Sequence, residues 1–287
     1  VTLEPCAHYG STPTCSEALV AAGLERVVFG ASDPDPRVDG RGAAMLRDAG
    51  VAVRHQTHLQ GTRSFEGFLS RVRFGRPFVT LKMAVSADGF VGREGEGQIA
   101  ISGPVARRQT HILRAEANAI LIGAGTALTD LPLLTCRLSG LEDRSPVRVI
   151  LDRRLRLGVD HPLIWTARQL PTIVATAASG DARARALEEA GCRILPMGPS
   201  EGALDDLLQD LVAQGISSVL VEGGPSVANA FLDDDLIDRI IVVRSDRRIG
   251  GKGVPAPAAL TNAPGFSQTE CERFGSDTWL EFERKTV

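Results

Sequence analysis

Two short apolar runs restrict most what this chain can fold into. Ala119-Ile120-Leu121-Ile122 leads straight into Gly123-Ala124-Gly125-Thr126, and Val219-Leu220-Val221-Glu222 leads into Gly223-Gly224-Pro225. Neither run alternates with polar residues until its last position, which is the pattern of a strand buried on both faces. Such a strand needs helices on either side, so an α/β fold with a partly parallel sheet is predicted. Segments 78–86, 147–151 and 172–175 read as further strands, and 104–115, 181–190 and 203–214 as the covering helices, with Ser102 placed to cap the first of them. Segments 239–243 and 279–282 are predicted to pair antiparallel at a sheet edge.

The first part of the chain shows the same alternation. A helix over 16–23 is closed by Gly23, a strand over 26–30 precedes the turn Asp33-Pro34-Asp35-Pro36, and a helix over 41–49 is closed by Gly50 before a strand at 51–53. An amphipathic segment at 63–73 is broken by Gly75-Arg76-Pro77. At 287 residues the chain is long for one core, so two domains are expected, 1–74 and 75–287.

Composition excludes several classes of function. The net charge is −3 and no basic patch is visible, which argues against a nucleic-acid surface. No apolar run reaches the roughly 18 residues that cross a membrane. The five cysteines are scattered and odd in number, so no disulfide framework is expected and a reducing, cytoplasmic location is. The first residue is Val rather than Met and no signal peptide is visible, so the start reads as a truncation. A small-molecule ligand and a homo-oligomeric state are expected, with no nucleic-acid or membrane partner.

Chemistry concentrates at a few places. Glu222 ends a buried strand, where α/β sheets bind ligands, and Gly223-Gly224-Pro225 then opens a helix whose first amides suit a phosphate. Gly123-Ala124-Gly125-Thr126 lacks the third glycine of a dinucleotide fingerprint, but two such turns in one domain favour a dinucleotide. Lys82 lies in an apolar strand and either snorkels or pairs with a carboxylate. Asp88-Gly89 reads as a hairpin turn alone, and Arg153-Arg154-Leu155-Arg156 as a solvated loop or a site for a small anion. Cys6 and Cys15 are either two partly buried thiols or two of the zinc ligands of a nucleobase deaminase, whose remaining histidine and glutamate would come from an upstream His-x-Glu.

Residues 2–15 run Thr-Leu-Glu-Pro-Cys-x-His-x-Gly-x-Thr-Pro-x-Cys, which resembles the deaminase half of the bifunctional riboflavin-biosynthesis deaminase–reductase family. Leu81 to Gly89, Leu113-Arg114-Ala115, Asn118 to Thr126, Leu134-Thr135-Cys136-Arg137, Val221 to Pro225 and Ile249-Gly250-Gly251 resemble its reductase half, in order. The resemblance covers essentially all of the chain. It implies the C-terminal portion of a cytidine-deaminase-like zinc domain over 1–74, followed by a dihydrofolate-reductase-like, NADPH-dependent domain over 75–287.

By that resemblance Cys6 and Cys15 are zinc ligands of the intact deaminase domain. Lys82 and Glu222 hold the ribose of a pyrimidine ribosyl phosphate, and Gln98, Arg114, Leu134 and Arg137 contact the same substrate. Arg114 and Arg137 could converge on its phosphate, because guanidinium fits that group bidentately. Ala84, Ala100, Thr126, Asp130, Gly223, Gly224, Pro225, Ser226, Val227, Ala228 and Asn229 match NADPH positions. The chain departs from the family at Ser11, where Arg is usual, at Ala100, where Trp is usual, and at Leu131, where a second Asp is usual. A nucleotide-binding homologue without turnover is therefore the alternative to the reductase.

Overall fold

The computed structural model describes residues 1–10, 12–56, 63–198 and 202–285. Ser11 lies outside them. The chain divides into two compact units, Val1–Pro77 and Phe78–Val287.

In the first unit, strand β1 (Arg26–Phe29) pairs in parallel with β2 (Ala52–His55). The helices Cys15–Ala21 and Arg41–Asp48 accompany them, and Val27, Leu46 and Val51 form a small core. The helix Glu66–Phe74 follows and ends at Gly75, whose φ of 69° is one that glycine adopts without strain. The buried carboxylate of Glu4 accepts the Gly40 and Ala43 amides, both at 3.2 Å, so it caps the second helix from across the unit. A Cβ at Gly42 would stand 1.7 Å from the Pro5 carbonyl oxygen, so only glycine lets that helix approach the Pro5-Cys6 segment.

The second unit is built on a nine-stranded sheet. Its strands are β3 (Phe78–Val85), β5 (Ala119–Gly123), β6 (Val147–Leu151), β7 (Thr172–Thr176), β8 (Arg193–Pro196), β9 (Ser218–Val221), β10 (Arg239–Arg244), β12 (Phe266–Phe274) and β13 (Asp277–Arg284). The short strands β4 (Phe90–Arg93) and β11 (Gly253–Pro255) pair separately. The order is β12-β13-β10-β3-β9-β5-β6-β7-β8, parallel from β10 to β8. The predicted antiparallel pairing is present, with Ile240 opposite Phe282, but β10 and β13 are not the margin. The edge is β12, whose largely exposed residues carry no alternating apolar signal.

Alternate residues of the central strands feed opposite layers, as a period of two requires. Leu121, Val149 and Ile173 pack on one side with Leu207, Leu208 and Leu211 of the helix Ala203–Ala213. Ile120, Ile122, Ile150 and Val174 pack on the other with Leu163, Ile164 and Leu187. Ser102 is not the cap of the helix Pro104–Glu116. Gly103 takes that position, because the Asp277 carboxylate reaches over from β13 to accept its amide at 2.6 Å. Among the described residues no helix is long and apolar enough to cross a membrane.

Candidate active site

A cleft of about 830 Å³ opens beside the carboxyl-terminal ends of β3, β5 and β9. The chain inserts β9 between β3 and β5, so their ends make the switch point where open α/β sheets bind ligands. The alternation of β3 sends Val79, Leu81 and Met83 into the core and leaves Lys82 and Ala84 on the cleft side.

Glu222 follows β9 directly, and its amide extends the ladder by donating to the Leu121 carbonyl at 3.0 Å. Its carboxylate takes both arms of Arg114, from Nε at 2.8 Å and from Nη2 at 2.9 Å. Arg114 Nη1 donates to the Thr135 carbonyl at 3.1 Å. Each side chain of the ion pair is only 12% exposed. Burial pushes the Glu222 carboxyl up, but Arg114 and, behind it, Lys82 and His111 outweigh that and hold it below the usual carboxylate range.

The sequence leaves Lys82 either to snorkel or to pair with a carboxylate, and it makes no ion pair with Glu222. Among the described residues it has no hydrogen-bond or ion-pair partner, and the Glu222 oxygens accept from Arg114 instead. Burial lowers the pKa of Lys82, the neighbouring Glu222 charge opposes that shift, and Arg114 reinforces it. Nor do Arg114 and Arg137 converge on open space as a pair. Every nitrogen of Arg114 is engaged within the protein, whereas the exposed Arg137 guanidinium has no partner among the described residues.

The two glycine turns meet. Thr126 Oγ1 accepts the Gly224 amide at 3.0 Å, and a Cβ at Gly123 or Gly223 would come within 2.7 or 2.8 Å of the Val227 side chain. Glycine at both positions lets the helices Ala124–Asp130 and Pro225–Asp233 start side by side at the cleft. The Ser226 amide, in the first turn of the second helix, has no partner among the described residues. A cradle of bare backbone with a free helical amide fits the phosphates of a dinucleotide.

Gln98, Ala84, Ala100, Thr126, Asp130 and the run from Gly223 to Val227 all line this cleft. Burial raises the Asp130 carboxyl above its ordinary value. Three expected positions lie elsewhere. Leu134, with φ of 58°, turns its side chain into the core layer of Ile122 and Leu163. Ala228 is fully buried and Asn229 is exposed, because helical rotation carries both away from the cleft lined by Ser226 and Val227.

Other residues at the cleft were not singled out by sequence. Arg107, Thr110 and His111 join Arg114 on the inner stripe of the helix Pro104–Glu116, a set visible in retrospect from its i, i+3, i+4, i+7 spacing. Arg156, from the run that the sequence reads as a solvated loop or a site for a small anion, lines the cleft as well, 3.6 Å from the buried Asp152. Asp88 does more than shape a turn. Its carboxylate accepts the Ile249 and Gly250 amides at 3.1 and 2.8 Å, which pins the Ile249-Gly250-Gly251 loop.

In the first unit Cys6 and Cys15 are neighbours, the Cys15 amide donating to Cys6 Sγ at 3.2 Å. A hydrogen bond with Cys6 raises the Cys15 thiol pKa. No group of three His, Cys, Asp or Glu side chains among the described residues is placed to hold a metal. Two thiols alone do not make a zinc site, which takes at least three protein ligands.

The second unit is thus an α/β domain with a charged cleft at the switch point of a largely parallel sheet. Residues 77–280 match the family described as RibD C-terminal domain. The chain is 35% identical over 298 residues to the riboflavin biosynthesis protein RibD of Escherichia coli, a match covering 98% of this chain and 80% of that protein. It aligns with a crystal structure from Thermotoga maritima described as a diaminohydroxyphosphoribosylaminopyrimidine deaminase/5-amino-6-(5-phosphoribosylamino)uracil reductase, with TM-score 0.81, 32% identity and coverage of 99% and 78%. The riboflavin biosynthesis reductase of Saccharomyces cerevisiae aligns with TM-score 0.58 and 25% identity over 74% of this chain and 92% of its own. The chain belongs to the RibD family of riboflavin-biosynthesis proteins.

Proposed function

We propose that the second unit reduces the ribosyl group of 5-amino-6-(5-phosphoribosylamino)uracil to ribityl with NADPH, on a dihydrofolate-reductase-like domain. The observation that carries this reading is the unpartnered Lys82 beside the Arg114–Glu222 ion pair, next to the paired glycine starts. The alignment with a riboflavin biosynthesis reductase covers 74% of this chain. The first unit is read as part of a cytidine-deaminase-like domain, with zinc left to the intact site.

Bound in this cleft, NADPH supplies a hydride to C1′ of the substrate in its open imine form. Gly223, Gly224 and the free Ser226 amide hold its phosphates, with Thr126 keeping the two helix starts together. Opening the ribose ring requires a proton on the ring oxygen. The Lys82 ammonium can donate it, because burial brings its pKa down toward the working pH. Glu222, fixed by Arg114, keeps lone pairs to accept from ribose hydroxyls, and Arg137 takes the 5′-phosphate.

Ala100, exposed at the cleft wall where the family has Trp, is the observation that favours a binding protein without turnover. Loss of NADPH absorbance on adding the pyrimidine substrate, with a product heavier by two hydrogens, separates the readings. Lys82→Ala is expected to abolish most turnover and leave NADPH binding intact. NADPH binding without any oxidation in the wild type would sink the reductase and favour the alternative.

A further inference from the structure

On the inner stripe of the helix Pro104–Glu116, Arg114 turns to Glu222 whereas His111 turns to the segment after Thr135. His111 Nδ1 accepts the Arg137 backbone amide at 3.3 Å, and the His111 carbonyl accepts the Cys136 thiol at 3.4 Å. Arg137 is thus held at its backbone by an imidazole, while its guanidinium, at the cleft, has no partner among the described residues. The bond demands an unprotonated Nδ1, since an imidazolium nitrogen can only donate. We propose that His111 is a positioning residue: as the neutral imidazole it sets Arg137 to capture the anionic group of the substrate, and protonating it loosens that capture. This rests on the reading above that Arg137 takes the 5′-phosphate.

The surroundings favour the neutral form. Arg107 and Arg114 flank His111 on its own helix, Arg137 and the Cys136 thiol lie on the segment packed against it, and Glu222 follows β9. Burial lowers the His111 pKa below the ordinary histidine value, Arg114 and Arg137 push the same way, and Glu222 and the Thr135 backbone carbonyl oppose them. At neutral pH Nδ1 is therefore available as an acceptor. A cationic His111 that bound the anion directly would behave oppositely, with affinity rising on acidification.

Ribose 5-phosphate is the probe, titrated calorimetrically into the full chain as wild type, His111→Ala, His111→Asn and His111→Gln, at about pH 8 and about pH 5. At the higher pH His111→Ala is expected to bind about fivefold more weakly, the size of one lost hydrogen bond. His111→Asn, whose Oδ1 takes the place of Nδ1, should stay within about twofold of wild type, and His111→Gln should behave like the alanine variant. On acidification the wild type should lose more affinity than His111→Asn, because titration of the phosphate itself is common to both. Equal affinity of wild type and His111→Ala at both pH values would overturn the proposal. So would a wild type that gains on His111→Asn at low pH, or one that fails to bind the probe at all. Turnover is measured in parallel. Histidine-dependent binding without NADPH oxidation would leave this inference standing and end the reductase reading, whereas turnover with indistinguishable variants would do the reverse.

Discussion

Replacing Glu222 by Gln keeps the shape of the side chain and removes its charge. Both carboxylate oxygens accept from Arg114, so the amide would set one donor against another and leave Arg114 and Lys82 without a counter-charge. Removing one partner of a fully buried pair costs roughly 3–5 kcal/mol, and the slight exposure here puts the loss nearer about 2–3 kcal/mol. For a unit of this size each kcal/mol moves the melting temperature by roughly 2–4 °C, so a fall of about 5–10 °C is expected.

The loss also depends on pH. Lys82 already titrates below its ordinary value of 10.5 in the folded protein, and without Glu222 burial and Arg114 act unopposed and lower it further. The folded protein then resists a proton that the unfolded chain accepts, so this group destabilises most at low pH. The Lys82 part of the variant's deficit shrinks as pH rises and is gone once Lys82 is neutral in both folded proteins, while the part owed to Arg114 remains. The limb of the pH–rate profile that reports Lys82 should move to lower pH in step. Thermal melts across pH test this, together with the Arg114→Met/Glu222→Gln double variant, which should lose less than the sum of the singles. A single variant melting within about a degree of wild type at neutral pH, or strict additivity in the double, would refute the ion-pair account.

Arg148 is 1% exposed and donates to Thr172 Oγ1, Thr166 Oγ1 and the Leu163 and Leu170 carbonyls. Burial lowers its pKa to about 10, and Arg148→Met should cost roughly 1–3 kcal/mol in denaturant unfolding, because the Thr172 hydroxyl, with one proton, cannot satisfy both the Leu163 and Leu170 carbonyls in its place. Gly223→Ala drives a Cβ to 2.8 Å from Val227 and should weaken NADPH at least about tenfold in calorimetry while the fold persists. Arg137→Ala should raise KM for the phosphorylated substrate at least about tenfold, or about 1.4 kcal/mol, with NADPH affinity unchanged. The dephosphorylated substrate should show no such rise in steady-state kinetics.

Sequence by itself determines the central strands and their helices, because a strand buried on both faces must be apolar along its length, as Ile120-Leu121-Ile122 is. It also determines the second glycine start, since Gly223 is required by the close approach of Val227 four residues on, whereas Gly123 meets the same Val227 only once the fold has brought the two turns together. The edge strand β12 escapes it, because a half-exposed strand needs no apolar pattern. Arg148 likewise reads as an ordinary polar residue until the surrounding carbonyls are in place. What only the tertiary structure decides is which charge meets which. Arg114 and Glu222 stand 108 residues apart, and inserting β9 between β3 and β5 brings them together and leaves Lys82 without a partner among the described residues. That choice follows from sheet order and burial, which no local spacing records, because the energy of a charge depends on the groups packed around it rather than on its neighbours along the chain.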